Sequence, residues 1–292
     1  MKRLSIFLLF IFVFQITTGC STHAPSADIA ATTLPVYQFT CMLTQGTDLT
    51  VERLVTENVS CLHDYSLNVR QVKTLENADT VVISGAGLED FMQDLLQGRQ
   101  IIDASVDISL LEGCHQHGDA HEHTHNHEAD SHIWLSPALA MVMAENICLG
   151  LQAQYPQHAP QMERNLAQLL HQLQALLVYG NQQLQQLQCR ELVTFHDGFA
   201  YLAQCFDLHI LSAVEEEAGS ETSSKKLIEL IHLVNTHQLP AIFTETNGSN
   251  ASAGVIAAET GAKLFTLDMA MTGDDYFTAM YHNIDILKEA LG

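Results

Sequence analysis

The sequence predicts an α/β protein of two lobes, each with a mostly parallel sheet flanked by helices, joined by one long rigid helix. Two observations lead to this fold class. Short apolar runs alternate with helical patterns, which is typical of parallel βαβ layers. These runs fall into two sets, and the stretch between the sets carries leucines at helical spacing.

Each set of apolar runs predicts four strands. The first set covers residues 29–33, 49–55, 80–84 and 100–103, and the second covers 191–195, 208–213, 241–244 and 263–267. Helices are predicted over 88–96, 160–187, 226–237 and 276–291, and helical patterns also surround Cys41 and Cys148. We therefore expect an N-terminal lobe over 28–157, a connecting helix over 158–188 with a weak point at Gly180, and a C-terminal lobe over 189–292.

Residues 1–19 are typical of an export signal. Lys2 and Arg3 precede an apolar run over 6–14 that is too short to span a bilayer. The residues before Cys20 resemble a bacterial lipobox, so we expect Cys20 to be lipidated and residues 20–27 to form a tether. This predicts an extracytoplasmic protein anchored by lipid to the bacterial cell membrane. An ordinary signal peptide is the alternative.

The chain is strongly acidic, with a net charge of −22. Such a surface repels nucleic acid and attracts divalent cations, although solubility alone explains it equally well. We expect no nucleic-acid partner, and a monomer. Six further cysteines are Cys41, Cys61, Cys114, Cys148, Cys189 and Cys205. Export permits disulfides between them, while free buried thiols explain Cys41 and Cys148 equally well.

The segment 114–131 is rich in histidine and almost free of apolar residues. It cannot pack a core, and imidazole is a common ligand of zinc, so we expect an auxiliary metal-binding loop. A chance low-complexity loop is the alternative. The histidines of the loop are His115, His117, His121, His123, His125 and His127.

Four polar residues follow predicted strands, where ligands of open α/β sheets bind. His63 and His132 belong to the first lobe, and His196 and Asp268 belong to the second. Three imidazoles and one carboxylate complete a four-coordinate zinc shell. Glu245 ends another strand and is either a competing ligand or a partner that orients an imidazole.

Several motifs resemble those of the zinc and manganese ABC-transporter solute-binding lipoproteins. They are CLHDY over 61–65, DSHIWLSP over 130–137, FHDGFAYL over 195–202, Leu267-Asp268, and DYF over 275–277. The resemblance covers nearly the whole chain and implies His63, His132, His196 and Asp268 as metal ligands. Three residues depart from the family pattern, namely Leu62, Ser131 and Gly198. These changes affect the stiffness of the loops rather than the identity of the ligands.

The resemblance implies capture of Zn²⁺ between the lobes and delivery to an ABC permease and its ATPase. In that family a histidine as third ligand, together with a His-rich loop, accompanies zinc, and a glutamate accompanies manganese. His196 indicates zinc on chemical grounds as well, because imidazoles suit Zn²⁺ and hard carboxylates suit Mn²⁺.

Two other functions are compatible with the sequence. The HEHTH sequence over 121–125 matches the HExxH pattern of zinc hydrolases, but it lacks apolar positions that would dock a helix. We therefore expect no enzyme. A surface zinc reservoir or adhesin that never delivers to a permease remains the main alternative.

Overall fold

The N-terminal lobe is built on a four-stranded parallel sheet. The computed structural model describes residues 27–59, 62, 65–111, 129–214, 222–246, 248 and 251–292. The strands are β1 (Ile29–Ala31), β2 (Val51–Arg53), β3 (Thr80–Ile83) and β4 (Gln100–Asp103), in the order β2-β1-β3-β4. The helices of this part are α1 (Leu34–Leu43), α2 (Val69–Asn77) and α3 (Gln93–Leu96). All carboxyl ends of the strands therefore meet at one edge.

The C-terminal lobe repeats this order. β5 (Glu191–Thr194) pairs in parallel with β6 (His209–Ala213), and β7 (Ala241–Glu245) pairs in parallel with β8 (Lys263–Leu267). β5 lies beside β7, so the strands follow one another in the same order as in the first lobe. The helices of this lobe are α6 (Ala200–Cys205), α7 (Ser224–His237), α8 (Ala251–Thr260) and α9 (Tyr276–Leu291).

One long helix contacts elements of both lobes, and a shorter helix precedes it at the end of the first lobe. α4 (Pro137–Gln154) begins at the N-cap Ser136, whose hydroxyl accepts a hydrogen bond from the backbone N–H of Leu139. A 3-10 turn over Pro156–His158 then leads into α5 (Ala159–Gln183), whose 25 residues make a rod about 37 Å long. The predicted long helix is therefore present, beginning one residue earlier and ending four residues earlier than expected.

Gly180 lies inside α5 without interrupting it. A Cβ atom at this position would overlap the ring of Phe206, which follows α6. The glycine therefore permits the long helix to pack closely against the C-terminal lobe, which is a packing role that the sequence pattern did not reveal.

One hydrophobic core runs through both lobes. The same cluster of buried side chains includes Ile29 of β1, Leu169 of α5 and Leu287 of α9. Hydrogen bonds also cross between the lobes, as when the backbone N–H of Leu34 donates to the carbonyl of Met271 at 3.0 Å. A wide hinge motion would have to open this core, so the architecture favours small local movements.

The cysteines in the described residues are free thiols. These are Cys41, Cys148, Cys189 and Cys205, while Cys61 and Cys114 lie outside the described residues. Burial raises the pKa of Cys148 to about 11, which keeps this thiol protonated and unreactive. No helix within the described residues is long and apolar enough to cross a membrane.

Candidate metal site between the lobes

The site is formed where the carboxyl ends of strands from both lobes face each other. His196 comes two residues after β5, Glu245 is the last residue of β7, and Asp268 directly follows β8. His132 lies beyond β4 and caps the 3-10 turn over Ile133–Leu135. This is the edge at which open α/β sheets bind ligands.

His132 is held by a carboxylate two residues before it. Its Nδ1 lies 2.8 Å from Oδ1 of Asp130, and the same oxygen accepts from the backbone N–H of His132 at 2.9 Å. The imidazole is 3% exposed. When Nδ1 donates to Asp130, the lone pair of the ring is on Nε2, which is buried without a hydrogen-bond partner.

His196 repeats this arrangement in the other lobe. Its Nδ1 forms a buried hydrogen bond with Oε1 of Glu245, and its Nε2 is again buried without a partner. The hydroxyl of Thr194 donates to the carbonyl of His196 at 3.0 Å and fixes the loop after β5. Each lobe therefore presents one imidazole whose Nδ1 is engaged and whose Nε2 is available.

The two imidazoles are spaced as ligands of one ion would be. The ring centroids of His132 and His196 lie 5.5 Å apart, with an angle of 68° between the ring planes. Zn–N bonds of about 2.0–2.1 Å at a tetrahedral angle place the centroids of two ligating rings about 5 Å apart. The separation of the two rings is therefore compatible with binding to one ion.

Gly198 leaves space beside the available nitrogen of His196. A Cβ atom here would lie 2.7 Å from Nε2 of His196 and 2.9 Å from Cε of Met269. Gly198 thus departs from the family pattern at a position directly beside this imidazole. The absence of a side chain at Gly198 also determines how open the approach to Nε2 is.

Asp268 is fixed near these residues through its backbone. Its N–H donates to Oδ1 of Asn283 at 2.8 Å, and its carbonyl accepts from Nδ2 of Asn283 at 2.7 Å. Its own Oδ1 accepts from the backbone N–H of Ala270 at 2.7 Å. In the next residue, the carbonyl of Met269 accepts from Nε1 of Trp134 at 2.7 Å. These contacts anchor the strand end to both lobes.

The structure brings together His132, His196 and Glu245. Within the described part of the chain, no three His, Cys, Asp or Glu side chains converge on a metal position, so Asp268 does not join the two imidazoles here. His63, Cys20 and the histidines of the auxiliary loop, which are His115, His117, His121, His123, His125 and His127, lie outside the described residues. Their roles stay predictions.

Two residues of the site were missed by sequence reasoning. Asp130 begins the DSHIWLSP motif, and its position two residues before His132 was the available signal for its role. Tyr201 follows His196 in the next motif and reads there as an apolar core position. Its hydroxyl donates to the carbonyl of Asp130 at 2.9 Å, so it belongs to the surroundings of the site.

A separate carboxyl group is buried at the same edge of the first sheet. Glu89 accepts hydrogen bonds from the hydroxyl of Thr32 and from the backbone N–H groups of Ser84 and Gly85, at 2.6, 2.8 and 2.9 Å. Burial raises the pKa of Glu89 to about 7. Glu89 ties together the chain segments that follow β1 and β3 and so stabilises this edge of the first sheet.

Two parallel α/β lobes on a long helix, with one buried imidazole from each lobe beside the other, define the two-lobed fold of the metal-type solute-binding family. The chain belongs to the family described as zinc-uptake complex component A, periplasmic, which matches residues 29–290. The family resemblance and the fold class expected from the sequence are both confirmed.

Known relatives resemble the chain over nearly all of its length. It is 30% identical to the zinc-binding lipoprotein AdcA of Streptococcus pneumoniae serotype 4 over 311 residues, covering 99% of this chain and 61% of the relative. The chain therefore spans about three fifths of the length of this relative.

Solved structures share the fold. The crystal structure of ZnuA has a TM-score of 0.79 and 29% identity, covering 91% of this chain and 100% of that chain. The Zn(II)-bound ZnuA-like domain of Streptococcus pneumoniae AdcA has a TM-score of 0.76 and 28% identity, covering 91% and 99%. The two-lobed architecture is therefore that of a known metal-binding fold.

Proposed function

We propose that this chain captures Zn²⁺ in the cleft between its lobes and delivers it to an ABC permease for uptake. The ligands in this proposal are His63, His132, His196 and Asp268. The observation that carries it is the pair of buried Nε2 atoms from opposite lobes, on rings whose centroids are 5.5 Å apart.

The chemistry of the two imidazoles supports a metal ion as the cargo. A buried acceptor without a partner costs free energy, so a native structure that keeps two of them side by side requires an explanation. Asp130 and Glu245 hold the Nδ1 atoms, which is how carboxylates orient imidazoles that bind metal through Nε2. A metal ion between the two Nε2 atoms would supply the missing partner of both.

The identity of the ligands supports zinc over manganese. Imidazole nitrogens suit Zn²⁺, whereas a site for Mn²⁺ usually depends more on carboxylate oxygens. The named relatives agree, because AdcA of S. pneumoniae is called a zinc-binding lipoprotein and its ZnuA-like domain was solved with Zn(II).

Capture and release follow from ligands in both lobes. Because one core joins the lobes and the backbone of Asp268 is anchored, we expect the loop of His63 and the side chain of Asp268 to move around a nearly fixed pair of imidazoles. Binding would then fix these groups in one arrangement, so that the permease can distinguish the loaded protein and couple its release to the ATPase.

A lipid on Cys20 would keep the protein at the outer side of the cell membrane. The naming of AdcA as a lipoprotein supports this location. We assign no catalytic activity, because the relatives are described by the metals that they bind rather than by a reaction.

Metal analysis tests the zinc assignment. The full chain, purified without an affinity tag and without added metal, should contain about one tightly held zinc ion that survives dialysis, in keeping with a four-ligand site. A protein that holds no zinc, or that exchanges zinc for manganese at equal concentrations, would refute the assignment.

Isotopic zinc uptake tests delivery. Cells that lack this protein should regain uptake when the wild-type chain is restored, and only while the linked permease is intact. A surface reservoir or adhesin would give the same zinc retention with or without the permease.

A further inference from the structure

The hydroxyl of Tyr201 joins the two ends of the His-rich segment to the opposite lobe. It accepts a hydrogen bond from the backbone N–H of Leu111 and donates one to the carbonyl of Asp130, both at 2.9 Å. The backbone N–H of Asp130 donates in turn to the carbonyl of Leu111 at 2.9 Å. We call Leu111, Asp130 and Tyr201 the clasp.

The clasp continues directly into the metal site. The side chain of Asp130 accepts from both the backbone N–H and Nδ1 of His132, so the position of Asp130 determines where the imidazole points. Tyr201 lies on α6, one residue into the helix that follows the loop of His196. The clasp therefore connects the supports of one imidazole in each lobe.

The burial of the clasp makes its geometry specific. Tyr201 is 1% exposed and Asp130 is 7% exposed. Burial raises the pKa of Tyr201, so its hydroxyl keeps the proton that it donates. Water has little access to replace these hydrogen bonds, and each group in the clasp depends on the others.

We propose that Tyr201 is a positioning residue for zinc. Its hydroxyl fixes the backbone of Asp130, and the carboxylate of Asp130 fixes the orientation of the His132 imidazole beside His196. The inference rests on the proposed function. The hydrogen bond from the Tyr201 hydroxyl to the carbonyl of Asp130 joins the two lobes outside the ligand set, and it determines the affinity of the cleft for zinc.

The test compares two tyrosine hydroxyls. Tyr201→Phe should weaken zinc binding about tenfold, at the lower end of the roughly 10–100-fold effect of partners that orient metal ligands. It should also shift the visible absorption of the Co²⁺-loaded protein, because the ligand geometry changes. Tyr155→Phe is the matched control. The Tyr155 hydroxyl lies 3.0 Å from Oγ1 of Thr80 and 3.3 Å from the carbonyl of Asp28, at the amino ends of the strands and away from the cleft.

A double variant separates positioning from general stability. Because Tyr201 acts through Asp130, the combination of Asp130→Ala and Tyr201→Phe should bind zinc about as weakly as Asp130→Ala alone. Additive losses would contradict the proposal.

The outcomes also separate the role of Tyr201 from the proposed zinc-binding function. Wild-type zinc affinity and a wild-type cobalt spectrum in Tyr201→Phe would overturn the role of Tyr201, as would an equal loss of affinity in Tyr155→Phe. Failure of the wild-type chain to bind either metal would overturn the proposed function itself.

Discussion

At the scale of single residues, the site depends on which nitrogen of each imidazole is engaged. Asp130 and Glu245 hold the Nδ1 atoms of His132 and His196, so both rings keep Nε2 without a protein partner. These two hydrogen bonds form without a metal ion. We therefore expect the two rings to be oriented before zinc arrives, which reduces the entropy lost on binding.

Replacement of His196 by Ala should weaken zinc binding by about two orders of magnitude or more, because loss of an orienting partner alone costs roughly 10–100-fold. The fold should survive, since the side chain of His196 supports no strand hydrogen bond. Calorimetry with competing chelator measures the affinity, and circular dichroism measures the fold. His209→Ala, at an exposed position on the neighbouring β6, is the control and should bind as wild type. Wild-type affinity in His196→Ala would remove this residue from the ligand set.

The stability of the metal-free protein should depend on Glu89. Its pKa is raised from 4.5 to about 7 in the folded chain, so between these values the folded state holds a proton that the unfolded state has released. The free energy of unfolding should therefore fall as the pH rises through this window. In Glu89→Gln the group cannot titrate, and urea unfolding should show a flatter dependence on pH. Glu76→Gln, at an exposed position of α2, should keep the wild-type slope, and identical slopes in all three proteins would contradict the assignment.

At the scale of elements, the strands were predictable and several helices were not. Each predicted strand overlaps an observed strand, because short apolar runs with polar flanks have few alternative structures. α1 and α4 were recognised only as helical patterns without bounds, since both are apolar on most sides. The segment predicted as a helix over 88–96 is a 3-10 turn followed by the short α3, because Gly85, Ala86 and Gly87 take positive φ just before it.

The candidate site was predictable to a similar degree. His132, His196 and Glu245 could be found because strand ends can be read from the sequence. The role of Tyr201 could not, because it depends on a hydrogen bond to a residue 71 positions away. Such partners follow from tertiary packing and leave no periodic pattern.

Deletion of residues 115–127 should leave the tight zinc site nearly unchanged. Leu111 and Asp130 already hydrogen-bond to each other, so a short linker can close the gap without moving His132. The number of zinc ions bound at saturation should fall, and growth should suffer chiefly when zinc is scarce. Titration calorimetry measures both the stoichiometry and the tight affinity. Loss of the tight site would mean that the auxiliary loop supplies primary ligands.

At the scale of the whole molecule, the lobes behave as one packed body. Their shared core and the interlobe hydrogen bonds of Leu34, Trp134 and Tyr201 leave no layer at which the chain separates easily. The two lobes therefore keep a nearly fixed relative position, and the loops around the cleft move instead.

Thermal unfolding should accordingly occur in one cooperative transition for the metal-free protein. Zinc should shift that transition upwards as a whole, because a ligand at 100 times its dissociation constant stabilises the native state by about 2.7 kcal/mol. Differential scanning calorimetry measures both effects. Two resolved transitions, with zinc moving only one of them, would indicate lobes that unfold independently and would contradict the shared core.

Completion of the first lobe by the last helix imposes an order on folding. The ring of Tyr276, at the start of α9, meets Phe39 edge-on at a centroid distance of 5.1 Å, and its hydroxyl donates to the carbonyl of Trp134 at 2.8 Å. Phe39 and Trp134 belong to the first lobe, yet their packing needs Tyr276 of the C-terminal lobe. We therefore expect the first lobe to complete its packing only after translation has reached α9.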